Sequence, residues 1–497
     1  MRAKHMPADT FDITLTTLAY GGDALGRLPD GAPRPGLAVF VPYALPGETV
    51  RVRLVEEKRG HARAELLEVL TPSPDRVTPR CPHFYSPIVE GENSGNLGVL
   101  GGVASQHTQI SAPSFRGEKG GDAAKLRSED ERGNLTTTGA GVGWCGGCHY
   151  QHIAYPAQLA AKTAILREQL ERLGGIKDPP ILPPVPSPSP WNYRNHVQFH
   201  LTPQGQLGYE VLRSNRVLPI RECYLPEAPI NQLWPQLDVE PLPGLERVSL
   251  RVGADEELML ILEGGDPQSL ALVIEGLPIS ALHLGPAGPL VLAGSDHILM
   301  EVGNWDVWGS EAAPSIPISE FSPHIFRVSA ESFFQVNTPQ AGAMVEHLLA
   351  NLPLTPSATL LDVYCGVGLF SAFLAPHVER LIGIESSPSA CQDFVCNLDE
   401  FDNVELYEAA AEQVLPALNL RADVILVDPP HAGLGPRVMD GLLHLNANTL
   451  AYVSCDPATL GRDARRLIEG GYRLRQIALF DLFPQTYHIE SISIWER

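Results

Sequence analysis

Residues 11 to 70 alternate short apolar-rich runs, "FDITLTTLAY", "LAVFVPYAL", "TVRVRLVEE" and "HARAELLEVL", with Gly and Pro turns such as "GG", "PDG" and "LPGE". Strands this short and this evenly punctuated predict a small barrel, a class that includes the oligonucleotide-binding folds. From Glu90 to Gly143 large apolar residues thin out into Gly, Ser, Thr and scattered charge, and this stretch reads as a disordered insertion. Order resumes in "AYPAQLAAKTAILREQLERLGG". Leu159, Ile165, Leu166, Leu170 and Leu173 recur there at helical spacing, with Pro156 at a first helical position and Gly174 as a stop. A Pro-rich connector, "DPPILPPVPSPSP", separates this helix from a strand-rich stretch running to about residue 320. The last part alternates apolar runs ("TLLDVYCG", "RLIGIES", "ADVILVDPP", "TLAYVSCD") with helix-like segments, the pattern of a doubly wound parallel sheet. The chain therefore reads as α/β in three parts: a barrel over residues 1–75, a central α+β domain over 76–325 and a Rossmann-like domain over 326–497.

Composition agrees with that division, since 497 residues suit about three domains. No apolar run approaches the roughly 20 residues a membrane helix needs, and the N-terminal "MRAKHMPADTFDITL" has no secretory apolar core. A cytoplasmic monomer is the expectation. The net charge of −22 argues against coating nucleic acid by bulk attraction. Residues 51 to 63, "RVRLVEEKRGHAR", are nonetheless a basic stripe, either an RNA-facing surface or an ordinary solvated strand face.

The run "LLDVYCGVGLF" is an apolar strand carrying Asp362, followed by a Gly-x-Gly turn at Gly366 and Gly368. Such glycines let a ligand approach the backbone, and a carboxylate ending the next strand, here Glu385 in "RLIGIE", can accept hydrogen bonds from ribose hydroxyls. The dinucleotide version wants a third glycine where this chain has Ser371, so S-adenosylmethionine fits better than NAD. Near the C-terminus "AYVSCDPATL" delivers Cys455 into an Asp-Pro turn. On its own that thiol is a core residue, a metal ligand or a nucleophile.

Taken together, "LDVYCGVGLF", "LVDPPHAGL", "AYVSCDPATLGRD" and "FPQTYHIESI" resemble the RNA 5-methyluridine methyltransferase family, whose members move a methyl group from S-adenosylmethionine to uracil C5. The likeness covers nearly the whole chain outside the insertion: the N-terminal barrel resembles a TRAM domain and "CGGCHYQH" the family's iron-sulfur segment. It implies that Gln335, Tyr364, Glu385 and Asp428 line the cofactor site, that Cys455 is the nucleophile and that Glu490 in "QTYHIESI" is the general base. Uracil C5 is a poor nucleophile, and adding a thiolate to C6 makes an enolate that is a good one. A base must then remove the C5 proton so that the thiolate can leave.

Two positions depart from the family, Asp456 where Asn is usual after the Cys and His431 where Arg is usual after Asp-Pro-Pro. An anion beside the thiol would disfavour the thiolate. Three readings compete with a ribosomal-RNA uridine as substrate: a transfer-RNA uridine, an RNA cytosine, and an inactive RNA-binding protein.

Cys145 and Cys148 form a C-x-x-C, which unaided could be a redox pair, half a metal site or chance. The resemblance implies a [4Fe-4S] cluster on Cys81, Cys145, Cys148 and Cys223, with zinc as the alternative; the insertion between "CPHF" and "CGGC" costs little closure entropy. Cys365, Cys391 and Cys396 read as buried or incidental thiols.

Overall fold

The computed structural model describes residues 10–85, 88–89, 144–237, 239, 243–269, 278–303 and 323–497, so the expected insertion at 90–143 lies outside the described residues. Strands β1 (Thr10–Leu18), β2 (Ala24–Arg27), β3 (Ala38–Val41), β4 (Thr49–Glu57) and β5 (His61–Thr71) lie in the order β3-β2-β1-β4-β5. A parallel pairing of β3 with β5 closes them into the expected barrel. Alternate residues, among them Ile13, Leu15, Val39, Val50 and Val52, fill the interior. The basic stripe is largely neutralised within the barrel. Arg51 binds Asp12 at 2.9 Å and Glu68 at 2.7 Å, Lys58 binds Glu56 at 3.1 Å, and Arg53 pairs with Glu65. That favours the solvated-face reading over the RNA-facing one.

A short strand, β6 (Ile88–Val89), adds to β5, and helix α1 (Tyr155–Arg172) follows the C-x-x-C segment. Helix α1 carries Pro156 in its first turn, one residue after its start, and its buried face differs from the expected one. Leu159 and Leu173 are only half-buried, while Gln158, Lys162 and Gln169 are buried. The reason is polar partners supplied from far along the chain: Lys162 Nζ donates to Asp481 Oδ1 at 2.6 Å and to the Phe483 carbonyl at 2.9 Å. Strands β7 (His196–Leu201), β8 (Leu207–Glu210) and β9 (Val217–Pro219), helix α2 (Ala228–Leu233), and strands β10 (Leu245–Val252), β11 (Leu258–Gly264), β12 (Ile279–Gly285) and β13 (Gly288–Ala293) come next. The strands form a seven-stranded sheet, antiparallel except between β11 and β12. A separate pair, β14 (His297–Val302) and β15 (His324–Ser329), leads into the last part.

That part runs α3 (Thr338–Asn351), β16 (Thr359–Val363), α4 (Leu369–Leu374), β17 (Arg380–Glu385), α5 (Pro388–Asn397), β18 (Val404–Glu408), α6 (Ala411–Val414), β19 (Val424–Val427), α7 (Pro436–Leu445), β20 (Thr449–Ser454), α8 (Pro457–Glu469), β21 (Arg473–Phe480) and β22 (Glu490–Glu496). The sheet order is β18-β17-β16-β19-β20-β22-β21, and every strand is parallel but β22, which runs antiparallel between β20 and β21. Apolar side chains such as Leu360, Ile382, Leu426 and Val453 are fully buried, as strands covered on both faces require.

The Pro-rich connector is not a free spacer. Leu182 N donates to the Ile477 carbonyl and Val185 N to the Leu479 carbonyl, both at 2.8 Å, so residues 181–185 lie along β21 and cover the open sheet edge. Proline can do this because an edge segment needs only alternate N–H groups for its pairing.

Candidate active site

Strand order reverses between β16 and β19, and in such sheets the carboxyl ends of the strands at that point open into a crevice. Asp362 and Tyr364 sit at the end of β16, Glu385 at the end of β17, Asp428 just past β19 and Cys455 just past β20. Because β22 is antiparallel, its first residue, Glu490, arrives at the same edge. Five separate strands therefore bring these residues together.

The glycine turn is built as its sequence requires. Gly366 has φ +54° and Gly368 φ +91°, and a Cβ at Gly368 would stand 2.3 Å from Leu398 Cδ1. Nothing lies within 4 Å of a Cβ placed on Gly366, so a ligand can reach the backbone there. Tyr364 is also left-handed, at φ 67°, a strain that non-glycine residues carry mostly at functional sites. Glu385 fixes the turn: one carboxylate oxygen accepts from Gly366 N at 3.1 Å, the other from Ser386 N at 2.6 Å and Ser387 N at 2.7 Å. Asp362 Oδ2 accepts from the Ser371 hydroxyl at 2.6 Å, while its Oδ1 is buried without a partner. The serine that breaks the dinucleotide pattern thus holds the carboxylate under the loop.

Burial pushes Asp362 up to about 7, with Glu385 adding and the Ser371 bond opposing. Burial and then Asp362 push Asp428 up to about 8. Burial and then Asp428 raise Glu490 well above the usual carboxylate range. Three crowded carboxyl groups with one orphaned acceptor fit a cationic ligand bearing hydroxyls, which is the chemistry of S-adenosylmethionine. Gln335 comes from the buried loop after β15, where its carbonyl accepts from Asn195 Nδ2 at 2.9 Å. Two residues on, Asn337 caps α3, its side chain accepting from Gln340 N.

Cys455 is half-buried and its thiol is pushed up to about 12, first by burial, then by Glu490 and Asp428, with Asp456 a small contributor. Asp456 is otherwise engaged. Its Oδ1 caps α8 by accepting from Ala458 N at 2.9 Å and Thr459 N at 2.7 Å, and its Oδ2 accepts from the Tyr20 hydroxyl of the barrel at 2.7 Å. The anion feared beside the thiol is a structural cap with two sets of partners. Tyr20 carries no sequence signal for this role, since 436 positions separate it from Asp456. Tyr487 packs edge-on against Tyr20 at 6.2 Å and against His149 at 4.5 Å, joining the barrel and the cysteine segment to the loop before β22.

Cys81, Cys145, Cys148 and Cys223 line one cavity of about 290 Å³, together with Tyr209 and His488. Burial is the first cause that raises all four thiols, Cys145 to about 12 and Cys223 to about 11, and mutual repulsion adds to it in Cys145, Cys148 and Cys223. Among the described residues, however, no three metal-binding side chains gather closely enough to hold a single ion. Of the remaining cysteines, Cys365 and Cys391 are buried and Cys396 is exposed.

A family model described as tRNA (Uracil-5-)-methyltransferase matches residues 317–497, and a TRAM-domain model matches residues 4–67. An uncharacterized RNA methyltransferase of Thermosynechococcus vestitus is 30% identical over 509 residues, covering 98% of this chain and 97% of that protein. Another, of Aquifex aeolicus, is 30% identical over 501 residues, covering 97% of this chain and 98% of its own. In overall fold the chain is similar to Pyrococcus abyssi tRNA (uracil-54, C5)-methyltransferase in complex with S-adenosyl-L-homocysteine, with a TM-score of 0.62, 21% identity, and 98% of this chain and 100% of that one covered.

Proposed function

Because the chain belongs to the RNA methyltransferases of the 5-methyluridine family, we propose that it methylates C5 of a uridine in cytoplasmic RNA, with Cys455 as nucleophile and Glu490 as the base that removes the C5 proton. The observation that carries this reading is the meeting of Cys455 and Glu490 at one sheet edge, close enough for the carboxylate to raise the thiol.

S-adenosylmethionine, when bound, would supply an electrophilic methyl group, and Asp362, Glu385 and Asp428 with Gln335, Tyr364 and the turn at Gly366 and Gly368 would hold it. Cys455 adds to uracil C6, and the ring electrons move into the C4 enolate, which makes C5 nucleophilic. Once C5 carries the methyl group, Glu490 takes its proton, the C5–C6 double bond re-forms and the thiolate leaves. Once ionised, a carboxylate with so raised a pKa is a stronger base and accepts a carbon-bound proton more readily. A uridine in a single-stranded loop is the proposed target, since extrusion from a duplex costs a few kcal/mol, and ribosomal RNA is proposed ahead of transfer RNA.

The cavity of the four cysteines is the proposed seat of a [4Fe-4S] cluster with a structural role. Four thiols lining one cavity are the donor set such a cluster takes, and zinc is the alternative. Protein purified without oxygen should carry iron and visible absorbance, whereas a colourless protein holding stoichiometric zinc would reverse the assignment.

The test of the reaction is covalent trapping on RNA containing 5-fluorouridine, where fluorine cannot leave C5 as a proton does. An adduct that needs both Cys455 and S-adenosylmethionine is expected, and sequencing the attached RNA identifies the target as ribosomal or transfer. No adduct from protein that binds the cofactor would sink the mechanism, and trapping at cytidine analogues alone would move the substrate to cytosine.

A further inference from the structure

The loop after β19 brings a second base to the nucleophile: Nδ1 of His431 stands 3.2 Å from Sγ of Cys455. That approach is built in. Arg462 Nη2 donates to the Ala432 carbonyl at 2.8 Å, Gly433 N closes a turn on the Pro430 carbonyl at 2.8 Å, and Leu434 N donates to Asp463 Oδ2 at 2.8 Å. Asp463 is itself fixed by the Tyr452 hydroxyl at 2.9 Å. Gly433 has φ +71°, and a Cβ on it would stand 2.6 Å from both Arg462 Nη2 and Asp463 Oδ2, so α8 can grip the loop this closely only at a glycine. Two neighbours of His431 are thus clamped, and the imidazole is left over the thiol.

The other groups around the thiol are acidic: Glu490 from β22, Asp428 from the end of β19 and Asp456 from the cap of α8. His488, from the loop before β22, and Arg462 complete the surroundings of the loop. None of the carboxylates helps a thiol lose its proton to form an anion, whereas a basic nitrogen within hydrogen-bond distance does.

We propose that His431 is a catalytic residue that accepts the Cys455 proton as the thiol attacks uracil and returns it when the thiolate leaves. The proposal rests on the reading of Cys455 as nucleophile. In the first step the S–H bond breaks, an N–H bond forms at His431 Nδ1, the S–C6 bond forms and the C5–C6 π pair moves into the enolate. In the last, Glu490 removes the C5 proton, the C5–C6 double bond re-forms, the C6–S bond breaks and the thiolate recovers its proton from His431. The C5 proton leaves through Glu490 to solvent, so the two bases handle different protons.

The test uses the full-length protein without RNA. The rate at which iodoacetamide alkylates Cys455 is followed by mass spectrometry of its peptide from about pH 5.5 to 9.5, in the wild type, His431→Ala and His431→Gln. The wild type is expected to react at pH 7 roughly tenfold or more faster than His431→Ala, with an inflection in its pH profile that both variants lack. Identical profiles for wild type and His431→Ala would overturn the proposal. So would full recovery in His431→Gln, which keeps a hydrogen-bonding group but no base and would reduce His431 to a positioning role. Melting temperatures confirm that the variants are folded. Because no RNA is present, a histidine-dependent profile in a protein that methylates nothing would separate failure of the methyltransferase reading from failure of the Cys–His pair.

Discussion

At the scale of single residues, the site is defined by carboxyl groups that the fold forces together before any ligand arrives. Asp428 is the clearest case, with its folded pKa raised to about 8 by burial and by Asp362. A raised acid binds more protons folded than unfolded between its unfolded value, about 4, and its folded value. Stability contributed by the neutral form is therefore lost as pH rises from about 4 to about 8. Asp428→Asn removes the titration, so it should melt above the wild type at pH 8, with the difference shrinking toward pH 5 by at most about 1.4 kcal/mol per pH unit. The same variant should bind S-adenosylmethionine more weakly, because a sulfonium recovers the energy of the anion. A melting difference that does not change with pH would contradict the placement of this charge.

At the scale of elements, the turn between β16 and α4 depends on one left-handed glycine. Gly368→Ala must adopt φ near +91° at a cost of about 1–2 kcal/mol and must also displace Leu398. We expect a lower melting temperature and at least tenfold weaker cofactor binding by calorimetry; binding at the wild-type level would mean that the turn is not the cradle. Much at this scale was legible in the chain. Apolar runs with turn punctuation mark the barrel strands, and the Asp362 strand with its glycines marks the sheet edge where the strand order reverses. Other features were not, because they depend on partners distant in sequence. Prolines signal the end of regular structure, and nothing local in residues 181–185 says that they will lie against β21. Helix α1 buries Lys162 on the face where periodicity alone would place leucine, for the same reason. Likewise His431 was visible only as a departure from a familiar pattern, and its distance from Cys455 is set by contacts from α8.

At the scale of the whole molecule, contacts spanning hundreds of residues hold the sheet edge that carries Cys455 and Glu490. Lys162 and Asp481 form an ion pair with both side chains fully buried. Breaking one partner of such a pair costs about 3–5 kcal/mol, while replacing both with apolar residues can be nearly neutral. Lys162→Met and Asp481→Leu should each lower denaturant stability by that amount, and the double variant should recover most of it; additive losses would mean that the two do not act as a pair. The same pair, like the bond from Tyr20 to Asp456, has an implication for biosynthesis. Chains emerge from the ribosome N-terminus first, at about 5–20 residues per second. The barrel and α1 therefore wait many seconds, with Lys162 lacking its counterion, until residue 481 has been made, and only then can the edge that carries Cys455 close.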